Sequence, residues 1–432
     1  MIALLGFSTI SLFTILVMTN RVSAVAGLIG IPIIFAVLAG FGTEIGKMMV
    51  GGIVQTAPTA VMLVFALLYF IVMFESGLFE PFIRKIIGVV GDDPVKIVIG
   101  TALLVIITGF DGDGATAVLI TITAMYPIYR RVGINPLIIA LMLGLICPVL
   151  NWLPWGGPAA RAAIALKVDI DDIVGPMIPA LLLSLLATLG LAYHLGLREK
   201  RRLAQLAVTG IAAGGEGGSH LKPRKIIQPR NFWFNLILTI CLMAGMGLGI
   251  APLPALVMLA FAVAVTVNMP NVREQQERLK EHGATVMTLV TLMLAAGAFT
   301  GIIGDTGMVK AMADTMIAAV PDGLGEYFGF VTAVISMPLL VILSTDGFFL
   351  GVLPILAHTG AAYGVPPEVV ARAALIGMPC HSLSPLIAPI YFCASLLRTD
   401  IGTLQRFAWP WAIWLCFVAL FAATITGAVH AA

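Results

Sequence analysis

The chain has 432 residues, of which 60% are hydrophobic and 11% charged, with a mean hydropathy of +1.05; an ordinary soluble domain carries about 25% charged residues. Those proportions exclude a soluble enzyme and identify an integral membrane protein, while a net charge of +2 argues for no polyanionic partner, and no segment resembles a nucleic-acid module. The five cysteines, Cys147, Cys241, Cys380, Cys393 and Cys416, are odd in number and scattered, so they give neither a disulfide framework nor a zinc spacing and read as small packing residues.

In chain order, spans are predicted near 2–19, 22–41, 57–75, 136–163, 174–195, 232–250, 253–269, 285–303, 367–395 and 408–428. Each can cross a hydrocarbon core of roughly 30 Å as a helix, and no ten-residue alternation suggests a β-barrel. The first run starts at Ile2 with no basic segment before it, which favours a first span over a cleaved signal peptide. Two more apolar stretches, 95–128 and 328–357, are interrupted midway by polar residues and glycines and read as re-entrant hairpins.

Residues 196–231 form a basic, glycine-rich linker that divides the chain into a first repeat, 1–195, and a second, 232–432. The halves share landmarks in the same order. "FESG" (74–77) answers "GDTG" (304–307), "FDGDG" (110–114) answers "LSTDG" (343–347), "VGINP" (132–136) answers "YGVPP" (363–367), and "NWLPWGGP" (151–158) answers "HSLSPLIAP" (381–389). Five crossings per half put the linker in the cytoplasm and both termini outside. All but five of the 24 lysines and arginines then fall inside; the exceptions are Lys47, Arg161, Lys167, Lys310 and Arg372. An odd number of crossings per half makes the repeat inverted, the usual architecture of secondary transporters, whose site lies near the midplane where discontinuous helices meet. The expected fold is therefore all-α, with about ten transmembrane helices, two opposed hairpins and two broken helices.

Four polar interruptions carry the chemistry. At the first hairpin tip, Gly109, Gly112 and Gly114 allow a turn, and Asp111 and Asp113 offer hard oxygen ligands, too few alone for a calcium loop. At the second, Asp346 stands beside Ser344 and Thr345. If the tips meet, three carboxylates converge in a setting suited to Mg²⁺ or Ca²⁺; the plainer reading is two solvated turns. The first broken helix, predicted over 136–163, contains Pro148, Pro154, Pro158, Gly156 and Gly157, which must interrupt a helix. The helix that resumes offers its amides to an anion, and Arg161 can hold a carboxylate in bidentate fashion, unless it snorkels or pairs with Asp169. The second broken helix, over 367–395, supplies His381, Ser382 and Ser384. His381 is a candidate proton carrier by its pKa range, as are Asp113 and Asp346 by burial, although a lone buried histidine is more often structural. Glu75 and Asp305 read as helix ends ahead of Gly77 and Gly307.

Taken together, "DGDGATAVLITITAMYPIY", "NWLPWGGPAARAA", "LSTDGFFLGVLP" and "HSLSPLIAP" followed by "LQRFAW" resemble the citrate-metal:proton symporter family of the ion transporter superfamily. The resemblance covers nearly the whole chain except the linker around 205–230. It implies a fold like that of sodium-coupled dicarboxylate transporters, a homodimer in the inner membrane, and proton-driven uptake of citrate complexed with a divalent cation. No permanent cofactor is implied, since the cation is part of the substrate. Carried over by position, it places Asp111, Asp113, Asn151, Gly156, Gly157, Arg161, Asp346, Ser382 and Ser384 around the site. This chain departs from the family pattern at Thr345 and Gly347, where proline and alanine are expected, a difference that bears on the preferred metal.

The alternative is a sodium-coupled carrier of free di- or tricarboxylate, with Na⁺ at the hairpin tips; uptake that needs Na⁺ and survives chelation selects it. A carrier of the metal alone predicts flux without citrate. An intramembrane aspartyl hydrolase gives no reason for an inverted repeat or an arginine at the second kind of break, and a passive scaffold leaves Asp346 without a role in lipid.

Overall fold

The computed structural model describes residues 1–19, 21–110, 114–208, 231–248, 250–317, 325–384 and 387–429. The first half runs α1 (Ile2–Met18), α2 (Ala24–Leu38), α3 (Ile45–Glu75), α4 (Glu80–Val90), α5 (Pro94–Thr108), α6 (Gly114–Val132), α7 (Leu137–Leu150), α8 (Gly157–Leu166) and α9 (Ile170–Val208). The second runs α10 (Phe232–Gly247), α11 (Leu253–Asn268), α12 (Val272–Glu281), α13 (Gly283–Asp305) and α14 (Met308–Ile317). It continues with α15 (Phe328–Ile342), a π-helical stretch Gly347–Val352, α16 (Leu353–Ala362), α17 (Pro367–Leu375), α18 (Met378–His381), α19 (Ala388–Leu397) and α20 (Ile401–Ile425). No strand occurs among the described residues.

Four helices, α3, α9, α13 and α20, are long and apolar enough to cross a bilayer by themselves, and the remaining apolar helices are shorter. Helix ends follow the local chemistry. α3 stops at Glu75 and α13 at Asp305, with Gly77 (φ 78) and Gly307 (φ 72) in the left-handed conformation just beyond, as expected from their glycines. α8 and α19 both end on a non-glycine residue of positive φ, Lys167 (φ 57) and Arg398 (φ 50). Each is followed by an aspartate and an isoleucine that opens the next helix, in "KVDI" and "RTDI".

The centre of the scaffold is the crossing of α3 and α13, flanked by α2 and α11. A Cβ on Gly52 would overlap the Gly297 carbonyl oxygen, and one on Gly301 would overlap that of Met48. Small residues at this crossing let two backbones touch, which is how helices gain packing energy in lipid. The same contact explains why α3 begins at Ile45 rather than near 57: Pro58 lies inside the helix, where packed neighbours compensate a lost backbone bond. Helix α9 also runs further than the expected span, through Val208, so the first part of the basic linker is helical. There Glu199 accepts from the Asn135 amide at 3.1 Å, and Arg202 donates to the Gly133 carbonyl at 2.6 Å, fastening the "VGINP" turn. The rest of that linker, 209–230, lies outside the described residues.

Three helices were not anticipated. α4, α12 and α14 are only 10 or 11 residues long, and hydropathy along the chain does not reveal short amphipathic segments lying beside spans. The five cysteines form no disulfide, and Cys380, Cys393 and Cys416 are buried.

Candidate substrate site

α15 ends at Ile342, and Leu343 continues extended (φ −95, ψ 152) into the second hairpin tip. There Ser344 Oγ accepts from the Gly347 amide at 3.1 Å, which closes a tight turn and presents Asp346. Asp346 Oδ1 accepts from Arg161 Nε at 2.5 Å, and both side chains are 15% exposed. Arg161 sits one turn into α8, and a Cβ on Gly157 would lie 2.6 Å from its Nη1. Glycine at 157 thus lets the guanidinium fold back over the start of α8. Among the described residues Arg161 pairs with Asp346 and not with Asp169, so the arginine of one half meets the aspartate of the other.

Gly156 caps α8 with an ordinary extended backbone (φ −72, ψ 130). Its glycine is required by space, because a Cβ would overlap the Asn151 carbonyl.

His381 is 5% exposed and uses both ring nitrogens. Nδ1 lies 2.6 Å from the Leu340 carbonyl and Nε2 lies 2.8 Å from Thr345 Oγ1. A carbonyl only accepts, so Nδ1 carries the proton, and a neutral ring then accepts the Thr345 hydroxyl at Nε2. Ser384 donates to the Val341 carbonyl at 2.7 Å, and Ser382 to that of Pro379 at 2.7 Å. Leu340 and Val341 belong to the last turn of α15, whose carbonyls have no partner within the helix. His381 and Ser384 therefore cap the arm that carries the second tip.

In the first half, Asp111, Gly112 and Asp113 lie outside the described residues. Their neighbours are held firmly. Trp155 Nε1 donates to the Phe110 carbonyl at 2.7 Å, and the rings of Phe70, Phe110 and Trp155 are mutually packed at 5.0–5.7 Å between centroids. Trp152 Nε1 reaches the Leu375 carbonyl at 2.9 Å, joining the two broken helices. These tryptophans were missed as site supports; two indole N–H groups inside a helix break each need an acceptor, and that was the available signal.

Two cavities lie against the elements that carry the pair: one touches His381, which bonds Thr345 beside Asp346, and the other touches the last turn of α8. One of about 130 Å³ lies among α6, α7 and the second break, lined by Gly114, Cys147, Asn151, His381, Ser382 and Pro389 among others. The other, about 350 Å³, lies at the far end of α8 against α13, α14 and α16, and is faced by Lys167, Lys310, His358 and Asp305. Asn151, His381 and Ser382 thus share one wall, while Ser344, Thr345, Asp346 and Arg161 form the tip contact beside it. Each second hairpin arm packs on the broken helix of the opposite half, α6 on α19 and the π-helical stretch on α8.

A broken helix and a hairpin in each half, with a part-buried ion pair between halves, define the class: an all-α integral membrane protein of two inverted-topology repeats, built as a transporter. Solved structures share this fold, with 17% identity and a TM-score of 0.62 for the YdaH transporter of Alcanivorax borkumensis, covering 90% of this chain and 89% of that one. MtrF of Neisseria gonorrhoeae gives 15% identity and a TM-score of 0.62 over 89% and 84%. The chain belongs to the citrate transporter family CitMHS, whose family model matches residues 1–377. It is 42% identical over 429 residues to a citrate transporter of Bacillus subtilis (strain 168), covering 99% of this chain and 100% of that protein. To a Mg(2+)/citrate complex secondary transporter of the same organism it is 40% identical over 430 residues, covering 99% of each.

Proposed function

We propose that this protein takes up citrate, or a related di- or tricarboxylate, as its complex with a divalent cation such as Mg²⁺ or Ca²⁺, in symport with protons and by alternating access. The observation that carries this reading is the part-buried Arg161–Asp346 pair, which brings a group suited to a carboxylate and a group suited to a cation from opposite halves to one point. Asp346, with Asp111 and Asp113 from the other tip, faces the metal. Arg161 and the amides that open α8 face the carboxylates, with Asn151, Ser344, Thr345, Ser382 and Ser384 around them. The cavity faced by Lys167 and Lys310 suits the approach of an anionic complex.

Charge accounting favours the complex over the bare acid. Citrate near neutral pH carries three negative charges, and one divalent cation leaves a single one. Moving that charge against 100 mV costs about 2.3 kcal/mol, which one symported proton removes. For the proton route, the two hydrogen bonds of His381 support a positioning role, leaving Asp113 and Asp346 as carriers.

In the cell, the chain is a multi-pass inner-membrane homodimer with repeats over 1–195 and 232–432, the linker of 196–231 in the cytoplasm and both termini outside. The sorting of lysine and arginine supports that orientation. The test is radiolabelled citrate uptake into proteoliposomes under an imposed proton gradient, with Mg²⁺, Ca²⁺, Na⁺ or chelator supplied singly. Uptake requiring a divalent cation and collapsing with the gradient is expected; uptake driven by Na⁺ in chelator makes the protein a carrier of the free anion.

A further inference from the structure

Two charged groups of this site, one on the first broken helix and one at the second hairpin tip, are already paired with each other. Arg161, the group suited to a carboxylate, holds Asp346, the group suited to a cation, at 2.5 Å with 15% exposure on each side. Its surroundings fix the pair from both ends. Gly157 leaves room for the guanidinium against the start of α8, the Ser344–Gly347 turn aims Asp346, and His381 braces the adjacent Thr345.

We propose that this ion pair is an internal stand-in for the cargo, and that loading is a double exchange: the cargo's carboxylate takes Arg161 while its cation takes Asp346. The inference rests on the metal–citrate reading of the site and adds the reason why only the complex is accepted. A free carboxylate that takes Arg161 leaves Asp346 half-buried, unpaired and beside a polyanion. A bare cation that takes Asp346 leaves Arg161 unpaired beside a dication. Breaking a buried pair from one side carries a penalty on the order of a hundredfold to a thousandfold in affinity. Only a ligand with both charges replaces both partners at once. Cation and anion therefore raise each other's affinity by the same factor, as linkage requires.

The exchange makes opposite predictions for the two partners. In Asp346→Asn, Arg161 keeps only a neutral partner, so free citrate in chelator binds more tightly than to the natural protein, by about tenfold or more, and the advantage of the Mg²⁺ complex shrinks. In Arg161→Gln, Asp346 is released, so bare Mn²⁺ binds about tenfold more tightly or better. The double variant Arg161→Gln/Asp346→Asn leaves no unpaired charge and loses both gains.

The experiment is equilibrium binding to the purified full chain in detergent, using radiolabelled citrate with chelator or excess Mg²⁺, and Mn²⁺ followed by electron paramagnetic resonance with and without citrate. The natural chain is expected to bind Mn²⁺ at least about a hundredfold more weakly without citrate than with it; equal binding overturns the proposal without any variant. An unchanged ratio of complex to free citrate in Asp346→Asn, or unchanged Mn²⁺ affinity in Arg161→Gln, overturns it too. Failure of the natural chain to bind any citrate–metal complex overturns the underlying reading instead.

Discussion

Gly156 and Ile387 open the resumed halves of the two broken helices with nearly the same backbone, φ −72, ψ 130 and φ −102, ψ 131. The prolines around them match as well, Pro148, Pro154 and Pro158 against Pro379, Pro385 and Pro389. Yet the first break has no room for a methyl group at its cap, while the second accommodates an isoleucine. Three residues after the last proline, the first half carries Arg161 and the second carries Phe392, which is 37% exposed. Each break also grips a hairpin tip by a different chemistry. An indole N–H holds Phe110 in one half, and an imidazole and a hydroxyl hold Leu340 and Val341 in the other. The two breaks share one backbone but not one chemistry: one copy is cationic and the other is a clamp, the asymmetry that the proposed metal–citrate cargo, with its two unlike ends, needs for a single orientation.

The tight cap gives the largest expected effect. Gly156→Ala forces the Asn151 carbonyl away and with it the angle between α7 and α8. Overpacking of this kind costs about 1–3 kcal/mol in stability, and because Arg161 sits one turn further on, uptake should fall about a hundredfold. Ile387→Ala, at the matching position of the second break, should keep uptake within about threefold and lose about 1–2 kcal/mol from lost packing. Uptake rates and melting temperatures of the two variants decide it; equal damage would mean that backbone shape alone makes the breaks function.

Next come the grips. Trp155→Phe keeps the aromatic cluster but strands the Phe110 carbonyl, and Ser384→Ala strands that of Val341; an unpaired buried acceptor costs about 1–3 kcal/mol. Both are expected to raise KM for the metal–citrate complex by about five- to tenfold with a smaller change in kcat, because both loosen a tip. If only one does so, only that tip faces the cargo.

Smaller again is the effect of His381→Gln. An amide can donate to the Leu340 carbonyl and accept from Thr345, so the rate should fall only severalfold and the pH profile of uptake should keep its shape. A displaced or flattened profile would return proton carriage to His381.

How much of this was legible in the sequence differs by kind of feature. The breaks and the second tip were legible because proline, glycine and charge inside apolar runs are costly and therefore conspicuous. Gly156, Gly157 and Arg161 followed from the breaks, Asn151 came only through the family resemblance, and the helix ends at Glu75 and Asp305 followed from Gly77 and Gly307. Pairing was not legible: Arg161 and Asp346 were assigned to opposite ends of the cargo, and nothing in spacing shows that they meet in its absence. His381 was read as a candidate proton carrier and Ser384 as a group around the site; both also hold carbonyls freed by the end of another helix, a need visible only once α15 and the second break are packed. The start of α3 was hidden by Pro58, which a lone helix resents and the α3–α13 crossing accommodates.

The smallest effect concerns the turn that leads out of the second break. "KVDI" after α8 and "RTDI" after α19 place Lys167 and Arg398 in the left-handed conformation, and in the second, Asp400 caps α20. Its Oδ1 accepts from the Thr403 amide at 2.8 Å and its Oδ2 from the Thr403 hydroxyl at 2.6 Å. Those hydrogen bonds, the hydroxyl first, hold the carboxyl below its usual range. A depressed pKa in the folded state stabilises above the unfolded value of about 3.9 and loses that contribution as pH falls through the folded value. Asp400→Ala should therefore lower the melting temperature by the same small amount from pH 8 to pH 5, and the gap should close in stronger acid. Uptake between pH 5 and 8 should keep its pH dependence in this variant, since in the natural chain the cap carboxylate does not titrate in that range. A change there would tie proton coupling to the turn behind the second break; its absence leaves coupling with the carboxylates at the tips, on the side of the molecule where Arg161 waits.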